Sequence, residues 1–435
     1  MNDRGDFDAI VVGAGPAGTT AALTLAQKGR RVALLERGES PGSKNMFGGM
    51  MAYCPTPERL LPDFWEQAPW ERAVTKRVLT VVGEASSTSV TFHADASAER
   101  ALTGFTLYRP LFDRWYAQQA EKQGVTLLCG CRVAGLLVRD GAVRGVNLGS
   151  PGDDLEAPII IACDGTLSLL AQEAGLHAGF KPSQLALGIR ALYRLSEAEI
   201  DDRFGLTGRE GATHEVLGCT DGIRGGGYVY TQTETLSVGL VMHLDSLKQR
   251  GLAPYDLLDR FVASPAVAPL LRGSRLVEYS AHLLPEGGIG MVPRLSTAGL
   301  LLAGDAAGLC YTNGLNQEGM NLAMTSGMIA AEVTDEALTA ADLSAARLGA
   351  YQERLKQSFV LRDMTTFRRA VDFMHHDRLF EAYPRVVGTL MEKIYRSDGQ
   401  PKQKIGKLGR EALRDVLPLR RVIGDLIEGG RAFLW

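Results

Sequence analysis

The chain has 435 residues, 45% of them hydrophobic and 22% charged, the composition of a folded globular protein with room for two or three structural units around a substantial core. Its 47 Lys and Arg against 50 Asp and Glu give a formal charge of −3, which excludes a generally basic nucleic-acid binder. The balance is uneven: residues 347–435 carry 18 Lys and Arg against 11 Asp and Glu, so the tail is basic and suits an acidic partner, an anionic membrane surface or a solvated helical face. The six cysteines, at 54, 129, 131, 163, 219 and 310, form no CxxC or ferredoxin-like spacing; they read as buried structural thiols in a reducing compartment, and the chain brings no iron-sulfur cluster of its own. No signal peptide precedes the first apolar run and no run reaches the roughly 18 residues of a bilayer span, so a cytoplasmic chain that does not cross a membrane is expected.

In chain order, "DAIVVGAGPAGTTAALTLAQKGRRVALLERGE" (residues 8–39) comes first. Ile10, Val11 and Val12 are too few for a helix and read as a buried parallel strand. Gly13 allows a sharp turn out of that strand, Gly15 leaves the backbone open to a pyrophosphate, and Gly18 lets the next helix pack on the sheet; Pro16 and Ala17 lie between them. The helix then points its N-terminal amides at the phosphates. A second strand, 31–35, ends on Glu36, 18 residues after Gly18, where a carboxylate accepts the hydroxyls of an unphosphorylated adenosine ribose. The Pro41–Gly49 stretch, with Gly48 and Gly49, reads as a mobile connection able to cover a ligand. Residues 74–92 alternate, as strands set apart from the parallel sheet would. A helix from about Arg109 to Gln123, strands at 125–138 and 142–148, and an apolar strand at 159–163 return to the first pattern. Residues 185–284, with "GGGYVYTQTETLSVGLVMHL", read as an inserted antiparallel sheet in which Tyr228 and Tyr230 pack or face a ligand.

"AGLLLAGDAAG" (298–308) is another apolar strand, ending on Gly304 and Asp305. A carboxylate there, late in a chain that opens with GxGxxG, suits a ribityl hydroxyl, which FAD has and NAD lacks. Asn313–Gly319 is expected to open a small apolar helix running to about Leu338, whose free amides face the flavin's pyrimidine carbonyl. Met50, Met51, Met320 and Met324 read as core filling, Cys54 as unactivated, and His375-His376-Asp377 as a charged helical stretch rather than a metal site. The terminal "LPLRRVIGDLIEGGRAFLW" mixes basic and apolar residues and suits a membrane surface or a sister subunit. The fold class expected is therefore α/β: a Rossmann-like dinucleotide-binding domain with a parallel sheet (1–73, 101–184 and 285–345), substrate-domain strands at 74–100, an inserted antiparallel-sheet domain at 185–284, and a helical basic region at 346–435.

These motifs resemble the flavoproteins that carry two dinucleotide motifs: aromatic hydroxylases, geranylgeranyl reductases and electron transfer flavoprotein:quinone oxidoreductases. The matching residues are Gly13-Ala14-Gly15-Pro16-Ala17-Gly18 with Glu36-Arg37, then Ala162-Cys163-Asp164-Gly165 with Ser168, then Gly304-Asp305-Ala306-Ala307-Gly308. Arg109, in "YRPLFDRW", matches the arginine this group aims at its flavin dinucleotide, and Val133 the strand residue whose backbone meets adenine. Within the group, "LERGESPGSKN", "LLPDFWEQAPWER" and "YQERLKQSFVLRDM" are similar to the FixC type. The hydroxylase version of the central motif ends in an arginine; here Asp164-Gly165 runs on to Leu169-Leu170-Ala171, which weakens a monooxygenase reading. The resemblance implies FAD, held by Gly13, Gly15, Pro16, Ala17, Gly18, Glu36, Arg37, Gly48, Gly49, Arg109, Val133, Asp164, Gly165, Gly304, Asp305, Gly314, Leu315 and Asn316. It implies electron transfer flavoprotein subunits as donor, a separate ferredoxin-like iron-sulfur subunit, a quinone acceptor and peripheral contact with the cytoplasmic face of the inner membrane. The rival readings are a geranylgeranyl reductase-like enzyme that saturates isoprenoid double bonds, and a flavin-free interaction subunit.

Overall fold

The computed structural model describes residues 7–43, 49–95, 104–150, 152–314, 316–414 and 416–434. Gly48 and Leu315 lie outside them. The first strand, Ala9–Val12, is buried throughout and pairs in parallel with Val32–Leu35 on one side and Ile160–Ala162 on the other. Leu300–Leu302 extends this sheet in parallel beyond Ile160–Ala162, Ser296–Thr297 closes that edge antiparallel, and Thr126–Leu128 forms the other edge. Strands buried on both faces carry uninterrupted aliphatic runs, which is why VALL, IIA and LLL make this sheet.

Two helices are stacked on one another beside it. Pro16–Gln27 starts with proline, whose missing N–H is no loss in a first turn, and presents Ala17, Gly18, Ala21 and Ala22 as a smooth buried surface. Met320–Thr339 crosses it where Gly327 meets Ala17; a Cβ on Gly327 would stand 2.1 Å from the Ala17 carbonyl oxygen. That contact brings the late motif against the first glycine turn.

The second sheet has nine strands and is larger than the sequence suggests. Its core is antiparallel: Arg275–Pro285, Leu185–Arg194, Thr235–His243, Gly225–Thr231 and Glu210–Leu217 in that order. Glu210–Leu217 then pairs in parallel with Trp70–Val82, so the sheet is mixed rather than purely antiparallel. Ser87–His93, Gly104–Leu107 and Gly49–Ala52 complete it. Gly49, expected in a loop, opens a strand, because Met50 and Met51 pair with Thr106 and Phe105. Trp70–Val82 also begins before residue 74, where the expected boundary fell. One face of this sheet is covered by the helices Glu197–Phe204 and Pro254–Ala263 through Ile200, Phe204, Leu257 and Phe261.

Further differences are local. The strand expected at 125–138 breaks into Thr126–Leu128 and Gly135–Arg139, because the amides of Gly130 and Cys131 bond back to the carbonyls of Gly38 and Glu36. Cys129 and Cys131 thus lie in a connection, and Cys129 is exposed rather than buried. The late helix begins at Met320, not Asn313: Tyr311–Thr312 and Gln317–Glu318 form a small hairpin, turned by Gly314 at φ +82° and by the Asn313 side chain accepting the Asn316 amide at 2.8 Å. After residue 346 the chain is helical, ending in Ala382–Tyr395, Ile405–Arg414 and Leu419–Phe433.

Candidate functional site

Gly13 has φ +101°, and a Cβ there would come within 2.2 Å of the Cys163 carbonyl oxygen; only glycine can make this turn. Gly18 is equally constrained, since its Cβ would meet the Gly13 carbonyl oxygen at 1.9 Å. Gly15 differs: its φ of −79° is ordinary and the nearest atom to an added methyl is Nη2 of Arg109, 3.8 Å away. Space therefore opens above Gly15, at a helix start that has no side-chain cap and no acidic residue in its first turn. Such a start leaves amide donors and a positive dipole end for an anion.

Arg109 reaches this opening from the helix Arg109–Lys122. Its Nε and Nη2 donate to both carboxylate oxygens of Asp113, at 2.9 and 2.8 Å, one helical turn on. Burial works against the guanidinium's charge, but Asp113 and the field of Asp305 hold its pKa above the ordinary value. Asp113 was missed in the sequence, although its i+4 spacing from Arg109 was a readable signal. Glu36 sits at the end of Val32–Leu35, with Oε2 accepting from the Ala14 amide at 3.1 Å and Oε1 from the Gly38 amide at 2.7 Å. These bonds fix the carboxylate and leave further lone pairs for hydroxyl donors. Arg37 is exposed beside it, and Val133 is half-buried against the core in the broken strand's connection.

The central and late motifs meet at the other end. Asp164 accepts the Leu170 amide on Oδ2 at 3.1 Å, while its Oδ1 is buried with no hydrogen-bond partner among the described residues. Burial raises the Asp164 pKa, with the Leu170, Asp164 and Leu169 amides and Arg37 opposing. Gly165 turns at φ +81°; the Thr166 hydroxyl that follows lies 3.0 Å from the Leu283 carbonyl and 3.3 Å from Asp305 Oδ2. Ser168 Oγ donates to the Ala306 carbonyl at 2.7 Å. Gly304, at φ +65°, packs on Ala17, where a Cβ would approach the alanine methyl to 2.9 Å. Asp305 is thereby held within the electrostatic reach of Arg109 and of His282. His282, on Arg275–Pro285, was not anticipated. Burial keeps its pKa below the ordinary value, with Arg109 and Arg37 reinforcing and Asp305 opposing.

The hairpin before Met320–Thr339 is held from two sides. Asn316 Oδ1 accepts from Arg77 Nη1 at 3.2 Å, and a Cβ on Gly314 would stand 3.3 Å from the Phe433 ring and 3.4 Å from Met374 Sδ, so the C-terminal helices back this loop. Register puts Arg190, Gly239, Tyr228 and Glu215 in one row across the sheet, with Ser280 beyond Arg190. Tyr228 and Tyr230 stack at 4.6 Å, and Arg190 pairs with Glu278 at 2.9 Å. Burial raises the Glu215 pKa despite Arg77. Among the described residues no group of three or more His, Cys, Asp and Glu could hold a metal, and no helix is long and apolar enough to cross a membrane.

Comparison with known proteins adds the family. Residues 8–179 match the model of FAD dependent oxidoreductases, 186–284 the ubiquinone-binding model of ETF-QO, and 370–434 the ETF-QO/FixC family C-terminal domain. A probable electron transfer flavoprotein-quinone oxidoreductase of Escherichia coli K12, YdiS, is 40% identical over 403 residues, 92% of this chain and 93% of that protein. The chain belongs to the ETF-QO/FixC family. Protein FixC of Azorhizobium caulinodans is 37% identical to this family member over 98% of the chain and 99% of its own length. Among solved structures, a geranylgeranyl bacteriochlorophyll reductase-like protein of Thermoplasma acidophilum superposes with a TM-score of 0.74, covering 97% of this chain and 99% of that one; at 20% identity the likeness shows the fold alone. As an ETF-QO/FixC protein the chain is an FAD-dependent oxidoreductase.

Proposed function

We propose that this protein takes electrons from an electron transfer flavoprotein and passes them to a quinone, with FAD extended from the opening above Gly15 towards the hairpin at Asn316. The observation that carries the reading is the open space above Gly15 at an uncapped helix start, in a chain whose residues 186–284 match the ubiquinone-binding model. Three features fit FAD: the space above Gly15 at an uncapped helix start, the buried Oδ1 of Asp164 with no hydrogen-bond partner among the described residues, and the fixed carboxylates of Glu36 and Asp305. Bound FAD supplies the redox chemistry. The chain's own residues bind and orient it. Gly13, Gly15, Pro16, Ala17 and Gly18 receive the pyrophosphate, with Arg109, held by Asp113, adding positive charge. Glu36, with Arg37 and the Val133 connection beside it, takes the adenosine end. Asp164, Gly165, Gly304 and Asp305 flank the ribityl chain. Gly314 and Asn316 meet the ring, Gly49 borders it, and Gly48 and Leu315 complete the set from outside the described residues. The row Ser280, Arg190, Tyr228 and Glu215 offers polar groups to a quinone head.

The supporting partners follow from the same reading. The scattered cysteines suit a separate ferredoxin-like iron-sulfur subunit. Leu419, Ile423, Leu426 and Ile427 form an exposed stripe on Leu419–Phe433, 49–69% exposed, with Arg420, Arg421 and Arg431 on the same helix; this suits a peripheral position on the cytoplasmic face of an anionic membrane, within reach of a lipid-soluble quinone. The test is anaerobic: reduced electron transfer flavoprotein added to the purified yellow protein bleaches the flavin, and a quinone restores the colour. A flavin that stays oxidised after the first addition refutes the donor, and one that stays bleached after the second refutes the acceptor.

A further inference from the structure

Behind the Asn316–Glu318 loop lies a buried carboxylate–imidazole pair that none of the binding roles above uses. Glu286 follows the strand Arg275–Pro285, and His243 ends Thr235–His243; they are 9% and 8% exposed. His243 Nε2 is 3.2 Å from Glu286 Oε2, and Gln317 Nε2 donates to Glu286 Oε1 at 2.5 Å. Gln317 directly follows Asn316, so a single side chain separates Glu286 from the loop assigned to the ring. On the outer side, the His243 ring lies 5.2 Å from that of half-buried His375, centroid to centroid, at the end of Arg368–Met374. His375 faces carbonyl oxygens on both nitrogens, Val371 at 2.9 Å and Ser183 at 3.3 Å. His243 Nδ1 is buried with no hydrogen-bond partner among the described residues. A buried polar atom left unpaired between two titratable groups needs a purpose or a water.

We propose that Glu286 and His243 relay protons into the redox site, from a solvent-side entry at His375 to the Asn316–Glu318 loop. The proposal rests on the reading that this loop lies against the flavin. Conversion of a quinone to its hydroquinone takes two electrons from the flavin and two protons. In each transfer through the relay, the O–H bond of Glu286 breaks, an O–H bond forms on the acceptor, and a carboxylate is left. His243 gives its Nε2 proton to that carboxylate while Nδ1 takes one from the His375 side; this leaves the ring as the Nδ1–H tautomer, and a flip of the ring about its Cβ–Cγ bond restores the starting state with one proton moved inward. The charged and titratable groups around the relay suit this. Cys310 and Gln317 face Glu286; His375, Arg224 and Asp245 face His243. Burial raises the Glu286 carboxyl to about 7, so it carries a proton near neutrality, and burial, His375 and Arg224 lower His243 to about 4 and keep the ring neutral.

The test uses the FAD-loaded protein and its Glu286→Gln variant, in which the amide keeps the contacts with Gln317 and His243. Photochemical reduction is followed by infrared difference spectroscopy, and quinol formation is followed against pH. The expected wild-type spectrum has a carboxylic-acid carbonyl band that shifts on reduction and is missing in the variant. Quinol formation in the variant slows ~100-fold, the usual reach of a positioned acid, at unchanged flavin content. His375→Ala slows turnover and added imidazole restores it. An identical carbonyl region in the two proteins overturns the relay, as does a variant with lower stability but the wild-type rate and pH profile. If the wild type neither accepts electrons from the flavoprotein nor reduces quinone, the reading of its function fails while the infrared bands still decide the relay. A chain that holds no flavin overturns both.

Discussion

Two alanine substitutions, three residues apart, separate the ligand's space from the fold's. At Gly18 an added methyl is pressed to 1.9 Å from a backbone oxygen, and neither partner is the free end of a flexible side chain. Relief requires the helix Pro16–Gln27 to lift from the sheet, which costs about 3 kcal/mol or more. At Gly15 the methyl points into open space with Arg109 Nη2 3.8 Å off, and the extended backbone suits alanine. Folding stability there changes little, or rises by roughly 0.4–1 kcal/mol because the unfolded chain loses freedom. The same methyl occupies the place assigned to a pyrophosphate, and overpacking of about 1–3 kcal/mol weakens FAD binding ~5- to 150-fold. Urea unfolding of the flavin-stripped proteins gives the first pair of numbers, and titration of FAD fluorescence gives the second. A Gly15→Ala protein that binds FAD like the wild type refutes the placement of the cofactor, and one as unstable as Gly18→Ala refutes the geometric argument.

Other outcomes follow from single contacts. Asp113→Ala leaves the Arg109 guanidinium without its bidentate partner in a buried place; stability falls by about 3 kcal/mol, seen as a lower urea midpoint, and FAD binding weakens with it. Glu286 has a folded pKa of about 7 against an ordinary 4.5, so the native state holds the extra proton; stability falls as pH rises from about 4.5 to about 7, and Glu286→Gln removes that fall. Denaturation of both proteins on either side of this window, near pH 4 and pH 8, measures the difference. Burial alone would raise the Asp425 pKa, but hydrogen bonds from Arg378 and Tyr383 outweigh it and hold it below the usual value. The stabilisation of Leu419–Phe433 is therefore complete above about pH 4 and is lost as acid titrates the carboxylate; hydrogen exchange of that helix accelerates on acidification beyond its intrinsic change, and does so less in Asp425→Asn. Leu426→Glu, at a position 69% exposed, leaves the melting temperature and flavin content unchanged but abolishes binding to anionic lipid vesicles.

The glycine turns were legible because each combines a residue type with a fixed spacing between apolar strands, and Gly13, Gly18 and Gly304 stand where close backbone approach requires them. The parallel pairing of Glu210–Leu217 with Trp70–Val82 was not, because local alternation gives a strand's faces but not its partner. The short strand Gly49–Ala52 was hidden by its glycines, which read as a loop until Gly104–Leu107 is placed beside it. The hairpin at Tyr311–Glu318 was mistaken for the start of a helix, although an asparagine and a glycine at its turn are a hairpin's usual residues. His282 and Glu286 owe their importance to neighbours far away in the chain, and no window of sequence around either shows that, whereas the partner of Asp113 stands only four residues before it.

Phe433 lies against Gly314, and Phe373 packs edge-on to Phe433 at 5.7 Å. The inner side of that helix leans on the hairpin assigned to the flavin ring. On that assignment, a surface or subunit gripping the tail would press on the same hairpin, and docking would be mechanically tied to the redox site.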